Sequence, residues 1–271
     1  MPELPEVETV VRSLEKRIKN RTIVDINIRY KPIVNGSTSY FKKCLINQKF
    51  KSFKRRGKYI LFYLNDYILV SHLRMEGKYS INDKNDSFSK HSHVIFYLDN
   101  GKQLRYNDTR KFGRFEIYPL DTDMSTFKNL GPEPFSKEFN ISYVKKYVKN
   151  LSLPIKSLLL NQSFISGIGN IYADEILFAS KINPKTPSNR LKSNDITAII
   201  KYTQSILKNA IEAGGTTIRS FSSVDHITGR FQQNLKVHGL NYCKKCGSKI
   251  MVIRLGGRST YYCPKCQKGR V

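Results

Sequence analysis

Apolar residues at Val7, Val10, Val11, Leu14 and Ile18 recur with the period of one helix face and predict a helix beginning near Pro5. Proline suits a first helical turn, where its missing N–H would be unpaired anyway. Glu6 and Glu8 then fall at the positive end of the helix dipole, with Lys16, Arg17 and Lys19 near the negative end. Glu3 precedes the helix, and helix initiation gives it no role. From residue 22 to 118 the pattern changes. TIVDINIRY, KYILFYL, YILVSHL, HVIFYL and RFEIYPL are rich in β-branched and aromatic residues, are divided by turn signals, and read as strands. Asp99-Asn100-Gly101 marks a tight hairpin between HVIFYL and KQLRY. Several short strands at this spacing predict an antiparallel sandwich or barrel.

The stretch 119–136, which ends in NLGPEPFS, holds three prolines and a glycine and reads as a linker. Helical patterns follow in ISYVKKYVKN, IKSLLLNQSF, NIYADEILFASKI and DITAIIKYTQSILKNAIEAGG. The expected organisation is an α+β multidomain chain. An N-terminal β-sandwich with a leading helix covers 1–120, a linker 121–136, a helical domain 137–235 and a cysteine-bearing segment 236–271.

Charge adds a class of partner. The 271 residues carry 47 Lys+Arg against 21 Asp+Glu, a formal net charge of +26. Such a surplus favours polyanions, nucleic acid before an anionic membrane surface. The most apolar run, 59–70, is interrupted by Asn65 and Asp66 and is too short to span a bilayer. The first twenty residues lack a signal-peptide core, so a cytoplasmic location is expected.

The cysteines add a metal. Cys243-x2-Cys246, sixteen residues, then Cys263-x2-Cys266 has the spacing of a four-thiolate zinc site. Between the pairs, IMVIRLGGRSTYY reads as a β-hairpin with Gly256-Gly257 at its tip. Nine basic residues and no acidic one lie between Lys236 and Val271, which points this finger at phosphate. A redox pair is the alternative use of such thiols. Cys44 stands alone.

Two further segments are ambiguous in isolation. Gly167-Ile168-Gly169-Asn170 allows a tight turn into a helix N-terminus able to bind phosphate, yet most such turns only join helices. KSFKRRGK, residues 51–58, has five cations in eight residues, which is usually a solvated face. Their order is more informative. Near-terminal PELPEVE, then RRGKYI, HLRMEG, DTRKFGRF, GIGNIYADE and a finger ending RSTYYCPKCQ together resemble the bacterial formamidopyrimidine-DNA glycosylase family, across essentially the whole chain.

The resemblance implies a base-excision repair enzyme acting on duplex DNA that contains oxidised purines or abasic sites. It implies a monomer with one structural zinc, and a helix–two-turn–helix domain between the β-sandwich and the zinc-finger hairpin. Pro2, once Met1 is removed, would be the Schiff-base nucleophile, since an α-amino group titrates near pH ~8 and needs little help to be neutral. Glu3 would donate the proton for base release, Lys58 would serve β-elimination, and Arg258 would serve δ-elimination and grip phosphates. His72, His91, Arg110, Asn170 and, near the second-domain helix, Lys149 match DNA contacts. Met75, Arg110 and Phe112 match the trio that fills the void left by an extruded base. The loop Thr216, Thr217, Ile218, Arg219, Ser220, Phe221, Ser222 and Ser223 matches the segment holding that base. Asn161, Ser92 and Asn183 depart from the family pattern as packing changes only. Endonuclease VIII-like glycosylases share the architecture but favour oxidised pyrimidines; Leu4 and the trio favour the purine branch. A non-catalytic zinc-finger DNA-binding protein would leave Pro2, Glu3 and Lys58 without a role.

Overall fold

The structure, a computed structural model, describes residues 1–125, 127–216 and 229–269. It divides into two compact units, one of residues 1–125 with 213–230 and one of 126–212 with 231–271.

In the first unit, helix α1 (Leu4–Ile18) buries Val7, Val10, Val11, Leu14 and Ile18, the residues of the predicted face. Two antiparallel four-stranded sheets follow. One has the order β1-β6-β7-β5, from β1 (Ile23–Ile28), β5 (Lys78–Asp83), β6 (Ser92–Leu98) and β7 (Lys102–Asn107). The other has the order β2-β3-β4-β8, from β2 (Ser52–Arg56), β3 (Tyr59–Tyr63), β4 (Tyr67–His72) and β8 (Arg114–Pro119). Ile26, Phe96, Leu104 and Tyr106 of the first sheet share one apolar core with Ile60, Phe62, Leu69 and Phe115 of the second and with α1. Phe115 lies edge-on to Tyr106 with ring centroids 5.0 Å apart, so aromatic contacts join the sheets. Burying each such side chain contributes roughly 1.5–3 kcal/mol.

One expectation for this region is corrected. Within the stretch read as strands, Thr38–Leu45 forms helix α2. The Ser37 side chain caps it by accepting the Tyr40 N–H, and Phe41, Cys44 and Leu45 face the core at helical spacing. The β-leaning composition of TSYF masked a helix of only two turns.

The second unit contains α3 (Ile141–Val148), α4 (Ile155–Leu160), α5 (Asn170–Ala179), α6 (Ser193–Glu212) and the hairpin of β9 (Met251–Leu255) and β10 (Arg258–Tyr262). Every residue of α5 from Ile171 to Phe178 is buried, as for a helix apolar on all sides. The segment before α3 packs onto this unit: the Gly131 N–H donates to the Gln162 carbonyl and Ser166 Oγ to the Pro132 carbonyl. Asn161 accepts the Ser163 N–H, Ser92 donates to Asn107 Oδ1, and Asn183 donates across the unit to the Gln267 carbonyl of the cysteine segment.

Candidate nucleic-acid interface and active site

Glu3 is the N-cap of α1 and is 3% exposed, so the structure gives it a helix-initiating position as well as a place beside the chain terminus. Pro2 is buried next to it. Burial, the largest cause, holds the α-amino group of Met1, just ahead of Pro2, below its ordinary value. Glu3 and Glu6 act against that shift, while Lys58 and Arg110 add to it. Four side chains drawn from α1, the β2–β3 turn and the loop after β7 therefore converge electrostatically on the start of the chain. Lys58 sits in that turn beside Gly57 and is buried.

Glu6 does more than complement a helix dipole. It is fully buried, and its carboxylate accepts the Glu3 N–H at 2.9 Å, the Thr216 N–H at 2.8 Å and the Thr216 hydroxyl at 3.1 Å. Thr216 bridges Arg230, and Gly229 lies so close to the Gly215 backbone that a Cβ on it would overlap that carbonyl. This pairing makes a stem for the intervening segment. Of the expected base-holding loop, Thr216 is in the stem; Thr217, Ile218, Arg219, Ser220, Phe221, Ser222 and Ser223 lie outside the described residues. Glu8, the other carboxylate at the positive end of the helix, pairs with Arg12 at 2.9 Å and Arg55 at 3.1 Å.

Met75 is half-buried, and Arg110 and Phe112 are exposed, with the guanidinium 4.7 Å from the Phe112 ring centre. Their loops are fixed from beneath. Buried Asp108 accepts the N–H groups of Arg110, Phe112 and Gly113 at 2.8–2.9 Å. Gly77 and Gly113 press on the Tyr106 hydroxyl, where any Cβ would clash, and Thr109 donates to the Glu76 carboxylate. An exposed arginine and aromatic ring thus stand on a rigid base, an arrangement suited to entering a stack of bases.

The histidines differ. His91 is half-buried, and its carbonyl accepts the Asp108 N–H at 3.0 Å. It lines a polar cavity of about 540 Å³ with Glu76, Lys78, Arg105 and Asn107. His72 is 7% exposed, lies edge-on to Tyr59 and accepts the Arg74 N–H through Nδ1. Burial, helped by Arg74 and Lys58, pushes its imidazole down to about 3. His72 is thus neutral at pH 7 and sets the backbone next to Met75.

A folded pKa below the unfolded value makes stability present at neutral pH and lost on acidification, because the unfolded chain takes up the proton first. Between pH 7 and pH 5 this residue should cost about 2 kcal/mol of stability. Urea titrations of His72→Asn, which keeps an acceptor near Nδ1 but cannot titrate, should show that much less loss over the same interval. An unchanged pH slope would exclude His72 as the cause.

In the second unit Asn170 begins α5 after Gly169, and its Nδ2 donates to the Ser259 carbonyl at 2.9 Å. Arg258, the neighbour of Ser259, is exposed at the hairpin tip. The GIGN turn and the finger arginine are thereby joined. Lys149 is exposed at the end of α3. Beneath them lies a network that sequence reasoning missed. Fully buried Lys156 pairs with Asp174 at 2.7 Å and donates to the Ser259 carbonyl and the Thr260 hydroxyl. Asp174 also holds His238 Nδ1 at 2.7 Å and the Tyr261 N–H at 3.2 Å. Glu175 accepts the N–H groups of Lys236, Val237 and His238, while burial raises its carboxyl. The only sequence signal was two acids inside the apolar helix NIYADEILFA, which must be paired if buried.

The sulfurs of Cys243, Cys246, Cys263 and Cys266 lie within 4.8 Å of one another, with Cys243–Cys266 at 3.9 Å and Cys246–Cys263 at 3.5 Å. Tetrahedral zinc with Zn–S near 2.3 Å would set its sulfurs about 3.8 Å apart. The four thiols fit that ion, and the cluster is a structural zinc site. Among the described residues no helix is long and apolar enough to cross a membrane.

Comparison with known proteins gives one result throughout. Residues 1–115 match the formamidopyrimidine-DNA glycosylase N-terminal domain, 130–222 its H2TH domain, and 243–269 the zinc finger found in FPG and IleRS. The formamidopyrimidine-DNA glycosylase of Oceanobacillus iheyensis is 42% identical over 100% of this chain and 99% of its own. That of Ligilactobacillus salivarius is 44% identical over 98% and 99%. A Lactococcus lactis Fpg variant solved with Fapy-dG-containing DNA superimposes with a TM-score of 0.94 at 39% identity, covering 98% of this chain and 100% of that one. Lactococcus lactis Fpg with abasic-site DNA gives 0.93 at 38% identity, covering 98% and 99%. With this terminus, these wedge loops and this finger on one chain, the protein belongs to the formamidopyrimidine-DNA glycosylase family.

Proposed function

We propose that the protein is a bifunctional glycosylase and AP lyase that removes oxidised purines, 8-oxoguanine and formamidopyrimidines, from duplex DNA and then cuts the strand. The observation that supports this reading is the buried start of the chain, where Pro2 lies beside buried Glu3 and the charges of Glu3, Glu6, Lys58 and Arg110 act on the Met1 amine just ahead of it. With Met1 removed, the Pro2 nitrogen attacks the sugar C1′. The C1′–N bond to the enzyme forms as the glycosidic bond breaks, and the departing base takes its proton from Glu3. The Pro2 nitrogen gives up its proton, the C1′–O4′ bond breaks as O4′ takes a proton from the acid at Glu3, and the open-chain iminium so formed acidifies the C2′ proton. Its loss expels the 3′ phosphate, a second elimination expels the 5′ phosphate, and water releases the enzyme. Lys58 moves protons in the first elimination, and Arg258 grips phosphate and assists the second. Arg110 serves the orphaned base while Met75 and Phe112 occupy the void. His91, Asn170 and Lys149 hold the backbone, and the segment from Thr216 to Ser223 holds the extruded base on the stem fixed by Glu6. Zinc shapes the finger and enters no step. Residues 1–120 form the catalytic sandwich, 121–136 the linker, 137–235 the helical DNA-binding domain and 236–271 the finger. The enzyme works as a cytoplasmic monomer at the nucleoid.

Borohydride trapping tests the reading. Incubation with an 8-oxoguanine duplex should give a covalent protein–DNA adduct and a cut strand, with little of either on a duplex carrying an oxidised pyrimidine. Preference for the pyrimidine lesion would transfer the protein to the endonuclease VIII-like branch. An intact strand without adduct would sink the enzyme reading altogether.

A further inference from the structure

The second unit carries a shallow groove of about 590 Å³ that plays no part in the chemistry above. Phe135, Ile141 and Ile200 give it apolar walls, and Lys201 and Lys208 line it from α6. Phe135 and Ile141 are 44% and 41% exposed. Thr197, Lys201, Gln204 and Lys208 recur at steps of three and four residues, so α6 presents them along one face. Seven residues of helix separate the two lysines by about 10 Å along the axis. The groove is held open rather than left to collapse. Gln204 Nε2 donates to the Pro134 carbonyl at 3.1 Å, which fixes the backbone before Phe135. Asn140 caps α3 by accepting the Tyr143 N–H at 2.9 Å, which fixes Ile141. The described lining residues include no carboxylate.

We propose that this groove docks a short acidic segment of a partner protein, one that carries one or two apolar side chains. Charge and shape select it together. Carboxylates four residues apart on an extended chain share one face about 13 Å apart, within reach of the two long lysine side chains, with an apolar side chain between them on that face. The apolar side chains between them would cover Phe135, Ile141 and Ile200. A nucleic-acid strand would satisfy the lysines alone and leave the apolar walls wet, forgoing the gain that burying them would add.

The full-length zinc-loaded protein can be titrated with a fluorescein-labelled peptide, Asp-Glu-Asp-Leu-Phe-Asp-Glu, and with the same peptide carrying Ser-Ser for Leu-Phe. The first should bind saturably with Kd on the order of 100 μM or tighter, and the second at least ~10-fold more weakly. Phe135→Ser, and separately Lys201→Glu with Lys208→Glu, should each weaken the first peptide about 10-fold, while incision of a lesion duplex stays unchanged. Equal binding of the two peptides, indifference to both variants, or no saturable binding would overturn the proposal. So would a loss of DNA binding in Phe135→Ser, which would assign the groove to nucleic acid.

Discussion

A protein that keeps Met1, or carries any residue ahead of Pro2, should form no borohydride-trapped adduct on an 8-oxoguanine duplex while still binding it. The Met1 amine lies buried, with the charges of Glu3, Glu6, Lys58 and Arg110 acting on it, so on the proposed mechanism Met1 stands where the sugar would have to meet Pro2. It also turns a secondary amine into an amide without nucleophilicity. Losing the nucleophile should lower kcat/KM for incision on the order of 10³-fold or more. Affinity should change by no more than about threefold, because phosphate contacts spread over a +26 chain dominate binding. Mass spectrometry of the terminus must accompany the assay. Full activity from a sample whose Met1 is shown to be present would remove Pro2 from the mechanism.

Loss of the zinc should be nearly as severe, by a different route. The finger core consists of Val237, Cys243, Ile250 and Cys263 against Phe178 of α5, too little apolar surface to hold a hairpin by itself. Structural zinc contributes about 10–16 kcal/mol of folding free energy in such modules. When the hairpin unfolds, Lys156 loses its acceptors at Ser259 and Thr260 and Asp174 loses the Tyr261 N–H. That leaves buried charge with fewer partners, a cost of several kcal/mol that spreads the damage into α4 and α5. Arg258 and the Ser259 contact of Asn170 are lost with it. Cys263→Ser, or chelation, should therefore reduce DNA affinity about 100-fold or more at fixed salt and abolish incision. Elemental analysis of the intact protein should give one zinc per chain. A chelated sample, verified as metal-free, that still cut lesion DNA would refute this structural role.

Sequence by itself determined what depends on local spacing. The period of Val7 to Ile18 set the buried face of α1, the β-branched and aromatic residues of 92–107 set two strands, and Asp99-Asn100-Gly101 set their turn. The paired cysteines set the metal site, because two residues between ligands fix their geometry almost independently of the rest of the chain. Motif order supplied the family. Only the tertiary structure decided where buried polar groups find partners. Glu6, readable in sequence as dipole complement, accepts hydrogen bonds from Thr216, 210 residues away. Asp108 turned out to shape the loop of Arg110 and Phe112, and Asp174 to bind the finger to α5. The reason is physical. Hydrophobic periodicity is written into neighbouring residues, whereas a buried carboxylate must be satisfied by whichever donors the fold brings to it. The opening MPELPEVE holds both kinds of information: Leu4 and Val7 announce a core and Glu3 and Glu6 close a local cap, whereas the bonds from Thr216 to Glu6 form only once the distant chain has folded around it.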